Sequence, residues 1–465
     1  MSKIHSCLKL ALICVIFALQ LHAQPEGFYL VEGEASSPYV DETGCYVVKV
    51  GKHAIINWDS FFLDENETLR FEQEVAEESS VINFVSKDSK TTILGSLQSN
   101  GKVYLAHPSE FFVGPEATLS APNIFLIADQ GKIEVNGQLK AHTPSGKGGK
   151  IHVLGKEVDI QKTTIIDASG IFGGGEVLIG GSFKGQDRSI LHSNRTVVQP
   201  GAQISVASLK SGNGGRAIIW SDENTYFYGT VNAKGGEEGG DGGFVEVSGK
   251  GQLAFDGSVM IEAFKGKAGE LLLDPHYVVL TSSISSGVPY VAPLLFSSPP
   301  TEPTETLLIN IDSVMSALSN GGTVTIEAVG SVLFISPNRP PPTGGPNMLT
   351  IRAGKSIYFQ GKGLYDFGNT VALFFINFIN NVDPQARAAG PCVFVVNPGT
   401  FIKTSSIFAG VSTPNEIFQP SEGGTIRAER SQFDVVSFTT NLLNSIPQPG
   451  NGVLGSLGSV GGTGL

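Results

Sequence analysis

The chain has 465 residues, a formal net charge of −12 at pH 7, 41% hydrophobic and 16% charged residues, and 58 glycines, where average usage would give about 33. The plentiful apolar β-formers exclude a disordered chain, and an acidic balance without a basic cluster excludes ordinary nucleic-acid binding. Low charge with excess glycine fits a turn-rich all-β chain, and the length permits roughly two to four domains.

Residues 1–23 read as a signal peptide. Lys3 and Lys9 form a basic start, 10–21 is an apolar run, and Ala23 before Gln24 is the expected cleavage site. The run is too short to span a bilayer well, which takes ~20 residues. Gln24 stands where a lipoprotein would carry a cysteine. Cleavage removes Cys7 and Cys14 and leaves Cys45 and Cys392. A disulfide needs Cα atoms within ~7 Å, and an elongated fold keeps these two apart. Residues 24–45 read as an N-terminal lead, of which 24–37 is expected to be loosely ordered.

From 46 to 145 the chain reads as strands and turns. In 91–128, apolar runs at 103–105, 111–113 and 124–127 alternate with Asn100-Gly101, Pro108-Ser109, Gly114-Pro115 and Pro122-Asn123. Such pairs bound strands and leave no room for a helix of ordinary length. Residues 72–78 are an acidic interruption, read as a solvated loop.

This stretch resembles the secretion domain of filamentous haemagglutinin family exoproteins, the passengers of two-partner secretion. The family pattern GxLxxNGxVxLxNPNGIxFGxxA is matched by Gly95, Leu97, Asn100-Gly101, Val103, Leu105, Pro108, Gly114 and Ala117 in order and spacing. At the NPNGI turn this chain has His107-Pro108-Ser109-Glu110-Phe111, keeping only the proline. Upstream, AIINWDSFFLDENETLRF is similar to the family's lead-in, with Asn66 in place of its glycine. The resemblance covers roughly 46–275. It implies export through an outer-membrane two-partner transporter, and it implies a role in that export for Asn100, Gly101, Pro108 and Gly114.

Between 146 and 275 a repeat appears. Gly148-Gly149, Gly174-Gly175, Gly214-Gly215, Gly242-Gly243 and Ala268-Gly269 each precede a short apolar strand, at intervals of 26, 40, 28 and 26 residues. One such unit cannot bury its apolar face alone, whereas stacked units can. The expected fold is a right-handed parallel β-helix, a single-stranded solenoid of the pectin-lyase-like kind with an N-terminal cap. Glycines are expected to supply positive φ at its corners. The 40-residue interval fits either two short coils or one coil with an excursion.

Residues 276–305 read as a Ser/Pro-rich linker, 306–440 as a further β-rich segment, and 441–465 as a Gly/Ser-rich tail. One helix is expected near 312–321, capped by Asp312 or Ser313 and stopped by Gly321. Residues 371–379 fit a buried strand, and 425–428 a last coil-like strand.

No catalytic motif stands out. His53, His107, His142, His152, His192 and His276 lack metal-ligand spacing, so no metal or cofactor is expected. The single run Gly239-Gly240-Asp241-Gly242-Gly243 lacks the tandem copies that a calcium-binding repeat needs. The enzyme alternative is a polysaccharide lyase or hydrolase built on Asp167, Asp187, Asp222 and Glu223, with Arg188 or Arg195 neutralising a sugar acid. A third alternative is the targeting part of a toxin-delivery protein. The expectation is a secreted or surface-exposed bacterial adhesin-like protein that acts by binding, not an enzyme. Its partners are the transporter and a host or neighbouring-cell receptor or glycan, with no nucleic acid.

Overall fold

Strands of five or six residues with alternating apolar side chains cannot bury that face singly, and here they do so by winding. The computed structural model describes residues 25–411 except 87–89, 144, 276–277, 283–307, 355, 360–362, 377–393 and 397–399. Among them, 34 strands join one sheet whose pairings are parallel apart from those of the first two strands. The architecture is a right-handed parallel β-helix. The signal segment, its Ala23–Gln24 junction, most of the linker, Cys392, the strand expected at 425–428 and the tail lie outside the described residues.

The coils present three faces, and an inward ladder runs up each. On the first face the ladder is Leu69, Leu97, Leu119, Leu139, Ile166, Ile204, Val231 and Val259. On the second it runs from Ile56 through Asn83, Leu105, Leu126, Val153, Ile179, Ile219, Val247, Leu273 and Ile326 to Ile351. The buried Asn83 is satisfied: it accepts from Trp58 Nε1 at 2.9 Å and donates to the Tyr104 carbonyl at 3.1 Å. The third face carries stacked rings, Phe227 on Phe255 and Phe334 on Phe359, with centroids 5.6 and 4.2 Å apart. Strand spacing of ~4.8 Å per coil makes the body elongated.

The N-terminal end is closed. The lead, expected to be loosely ordered over 24–37, forms a cap instead: Tyr29–Ala35 and Tyr39–Val40 lie antiparallel on the first long strand, Tyr46–Trp58, whose backbone groups they pair. Cys45, buried beside this cap, is a free thiol.

The paired glycines form the corner between the first and second faces, but not through positive φ. None of the paired residues Gly148–Gly149, Gly174–Gly175, Gly214–Gly215 and Gly242–Gly243 has φ in the left-handed region. They are selected by space. A Cβ on Gly215 would lie 2.0 Å from the Gly175 carbonyl oxygen, and one on Gly243 2.2 Å from that of Gly215. Backbone stacks on backbone there. The second glycine's N–H closes its own coil (Gly175 to Ala168, Gly243 to Ala233), and its carbonyl accepts from the next coil (Arg216 to Gly175, Phe244 to Gly215).

The 40-residue interval is one coil with an excursion. The chain leaves the second face after Glu176–Ile179 and rejoins the third at Arg195–Val198. Further on, chain order and stacking order part. Strand Leu308–Asn310 lies between Gln252–Phe255 and Val278–Thr281, beneath a strand that precedes it in sequence. The helix Ile311–Leu318 then takes the place of a first-face strand, packing on Ser258–Met260. Its N-cap is Asn310, whose side chain accepts from Asp312 N–H at 2.9 Å. The expected Asp312 instead pairs with Arg339. Strands Thr323–Ala328, Asn347–Ala353 and Thr370–Ile376 continue the second face.

Candidate functional site

The four residues singled out by the secretion motif occupy three corners of one coil. Asn100 turns the chain from Ser96–Ser99 into Lys102–His107. Its side-chain amide copies a strand pairing, accepting from Gln73 N–H and donating to Gln73 C=O, both at 2.8 Å. Beside it, a Cβ on Gly101 would press on the Gln73 side chain at 2.4 Å. Pro108 is exposed at the next corner, where its carbonyl accepts from Gln130 of the following coil at 3.0 Å. Gly114, at the third corner, donates to the Ile93 carbonyl at 2.8 Å. Each fixes a turn, and they do not converge on a shared cleft.

The turn that departs from the family pattern is organised by His107. Its ring is 2% exposed, and Nδ1 accepts from Ser109 N–H at 2.9 Å and Glu110 N–H at 3.0 Å. An Asn or Asp side chain does this in an Asx-turn. Accepting at Nδ1 fixes the Nε2–H tautomer. Phe111 stands edge-on to the ring at 6.0 Å and is itself core, 1% exposed. Pro108, Ser109 and Glu110 form the exposed tip.

The carboxylates considered for sugar chemistry are each engaged separately. Asp167 accepts from Ser169 N–H and Oγ at 2.9 and 2.6 Å. Asp187 does the same for Ser189, and these bonds hold its carboxyl below the usual range. Asp222 takes Trp220 Nε1 at 3.2 Å and Lys250 at 3.0 Å. Glu223 serves through its backbone carbonyl, accepting from Gln252 at 2.6 Å. Arg195 pairs with Asp159 at 3.2 Å, and among the described residues Arg188 makes no ion pair with these acids. In the glycine-rich run, Asp241 accepts from Lys267 N–H of the next coil at 2.8 Å, a corner hook. Among the described residues no group of three or more His, Cys, Asp or Glu could hold a metal ion. No described helix is long and apolar enough to cross a membrane.

Two constellations were not legible in the sequence. Ser182 Oγ lies 3.0 Å from His192 Nε2, and His192 Nδ1 lies 3.7 Å from Asp222 Oδ1. The order is that of a nucleophile, a base and an orienting acid. Yet Ser182 is 5% exposed, and its oxygen already accepts Asp187 N–H at 3.1 Å. The trio holds the excursion in place.

The second constellation lies beside it on the outer surface of the second face. Phe183 packs against a small external cluster of Leu178, Ile218 and Trp220, with Phe244 alongside. Lys184 follows at φ 51°. Its N–H donates to Glu246 at 3.0 Å, and its ammonium meets Asp274 at 3.6 Å and pairs with Glu327. Arg352 also pairs with Glu327. Glu246 is fully buried, and one of its oxygens has no hydrogen-bond partner. Burial pushes its carboxyl up to about 7, while the Lys184 N–H pulls the other way. Lys184 itself is held above its usual value by these acids, Glu327 foremost, against the effect of burial.

No family model matches the sequence. Over 204 residues, 44% of this chain, the sequence is 26% identical to a heme/hemopexin-binding protein of Haemophilus influenzae, and the alignment covers 20% of that protein. The chain thus spans about a fifth of the length of the curated relative it matches. Among solved structures, the HMW1 secretion domain from Haemophilus influenzae aligns with 83% of this chain and 98% of its own length, at 16% identity and a TM-score of 0.34.

Proposed function

We propose that this chain is a two-partner secretion exoprotein, an adhesin-like passenger that leaves the cell through a dedicated outer-membrane transporter and acts by binding. The observation that carries the reading is a β-helix capped at its N-terminal end, whose early coil bears the family's motif residues at its corners. A folded solenoid is too wide for a narrow barrel, so the chain crosses extended and folds outside. Coil-on-coil stacking then propagates from the part that emerges first. Unfolded strands of that part pair with the transporter's periplasmic modules by strand addition, where backbone hydrogen bonds give affinity. Binding is favoured over catalysis because Asp167 and Glu223 sit in turns of their own, while Asp187 and Asp222, which flank His192, are engaged by Ser189 and by Trp220 and Lys250 around a buried Ser182. The target is a receptor or glycan on a host or neighbouring cell. Haem and hemopexin are the first ligands to screen, given the relative's name.

The geometry refines the test. His107 and Phe111 are core and stay unchanged, while the exposed tip Pro108, Ser109 and Glu110 is replaced by Gly-Gly-Ser. Export is measured with the cognate transporter, and refolding is measured on the purified domain. Normal refolding with export reduced at least tenfold is the expected result. Normal refolding with export at the original rate would show that the tip has no export role. Secretion of the unchanged chain without any transporter would sink the two-partner route.

A further inference from the structure

The excursion between Glu176–Ile179 and Arg195–Val198 lies as a strap across coils that follow it in sequence. Gly185 is pressed on the Trp220 indole, where a Cβ would lie 2.4 Å from Cζ2. From there Lys184 reaches three successive strands of the second face: Phe244–Gly249 through Glu246, Glu270–Asp274 through Asp274, and Thr323–Ala328 through Glu327. The last partner is 143 residues away in sequence. The side chains of Lys184, Asp274 and Glu327 are 14%, 9% and 6% exposed, so the ion pairs are shielded from solvent.

We propose that this strap is a latch that sets the register of Thr323–Ala328 on the body. That strand enters where chain order and stacking order part, because Leu308–Asn310 has already inserted beneath Val278–Thr281. Its inward residues are Val324, Ile326 and Ala328. A one-residue slip would turn them outward and is excluded by burial. A two-residue slip keeps the alternation and is not excluded that way. It would carry Glu327 about 7 Å along the strand. Lys184, shielded from solvent, would keep Asp274 but lose the Glu327 carboxylate, and Arg352 would lose it too, which is unfavourable for a cation held out of water. The latch thus discriminates the slip that apolar patterning tolerates. The charged groups facing it are Lys184 on the strap and Glu246, Asp274, Glu327 and Arg352 on the coils.

Amide hydrogen exchange of the full chain tests this by comparing residues 324–328, the strap at 184–187, and the distant strand Lys102–His107 as an internal control. In Lys184→Met, exchange at 324–328 is expected to accelerate at least tenfold while the control is unchanged. Lys184→Arg should restore most of the protection. Glu327→Gln should loosen both 324–328 and the strap, and the double variant should be no looser than either single one. Wild-type protection at 324–328 in Lys184→Met overturns the proposal. If that variant also perturbs the control strand, Glu327→Gln decides, since it leaves Lys184 beside Asp274: an unmoved strap refutes the latch, and a loosened strap supports it.

Discussion

At the scale of the residue, the informative groups are those whose partners lie a coil or more away. His107 is needed where an asparagine would be expected, and only the hydrogen bonds at its Nδ1 reveal why. Lys184 is unremarkable in sequence because its acids lie 62 to 143 residues downstream. By contrast Asn100, Gly101, Pro108 and Gly114 stand out in sequence because turns are local. Glu246 gives a pH prediction. Its folded-state value of about 7 lies above the ordinary 4.5, so the folded protein holds this proton more tightly than the unfolded chain. The contribution is complete below pH 4.5 and is lost as pH rises through about 7, amounting to roughly 3 kcal/mol at most. Glu246→Gln should therefore gain stability relative to the parent as pH rises from 5 to 7.5. Urea midpoints at the two pH values check this. A difference that does not vary with pH would mean that Glu246 is already ionised in the fold.

At the scale of the element, the repeat was legible because its cause is steric. The second residue of each stacked corner from Gly149 to Gly269 admits no side chain, so glycine recurs there once per coil and its spacing shows in the sequence. The reason differs from the one expected: Gly215 and Gly243 keep ordinary φ and are required by the approach of another backbone. Gly243→Ala should cost about 2–4 kcal/mol, because its Cβ meets a carbonyl held in the ladder. Alanine at Gly44, where nothing lies within 4 Å but φ is 82°, should cost only about 1 kcal/mol. Thermal unfolding of the two variants ranks them, and equal losses would contradict the steric account. The inserted strand Leu308–Asn310 was not legible. Three residues carry no periodicity, and their place is set by the edges of strands far off in sequence.

At the scale of the whole molecule, the three-faced solenoid follows from stacking units that cannot stand alone. Such a body ends in strands with unpaired backbone groups, which template association. At the N-terminal end Tyr29–Ala35 and Tyr39–Val40 occupy that edge, pairing Tyr29 with Asn57 and Tyr39 with Val47. Removing residues 25–40 should expose Tyr46–Trp58 and give concentration-dependent association in light scattering, while the intact protein gives none at the same concentrations. A truncated chain that stays monomeric would show that the cap guards nothing.

The antiparallel cap has a further consequence. A ladder of parallel strands can accept a new rung at either end, but a short, bulged antiparallel strand laid across one end takes the place of the next rung and blunts that edge. The particle therefore has an arrow: rungs join at one pole only. For a chain that appears N-terminus first, time of arrival becomes height along the axis. An early segment such as the strap must then wait for its partners in turn, Glu246 first, Asp274 next and Glu327 several storeys later.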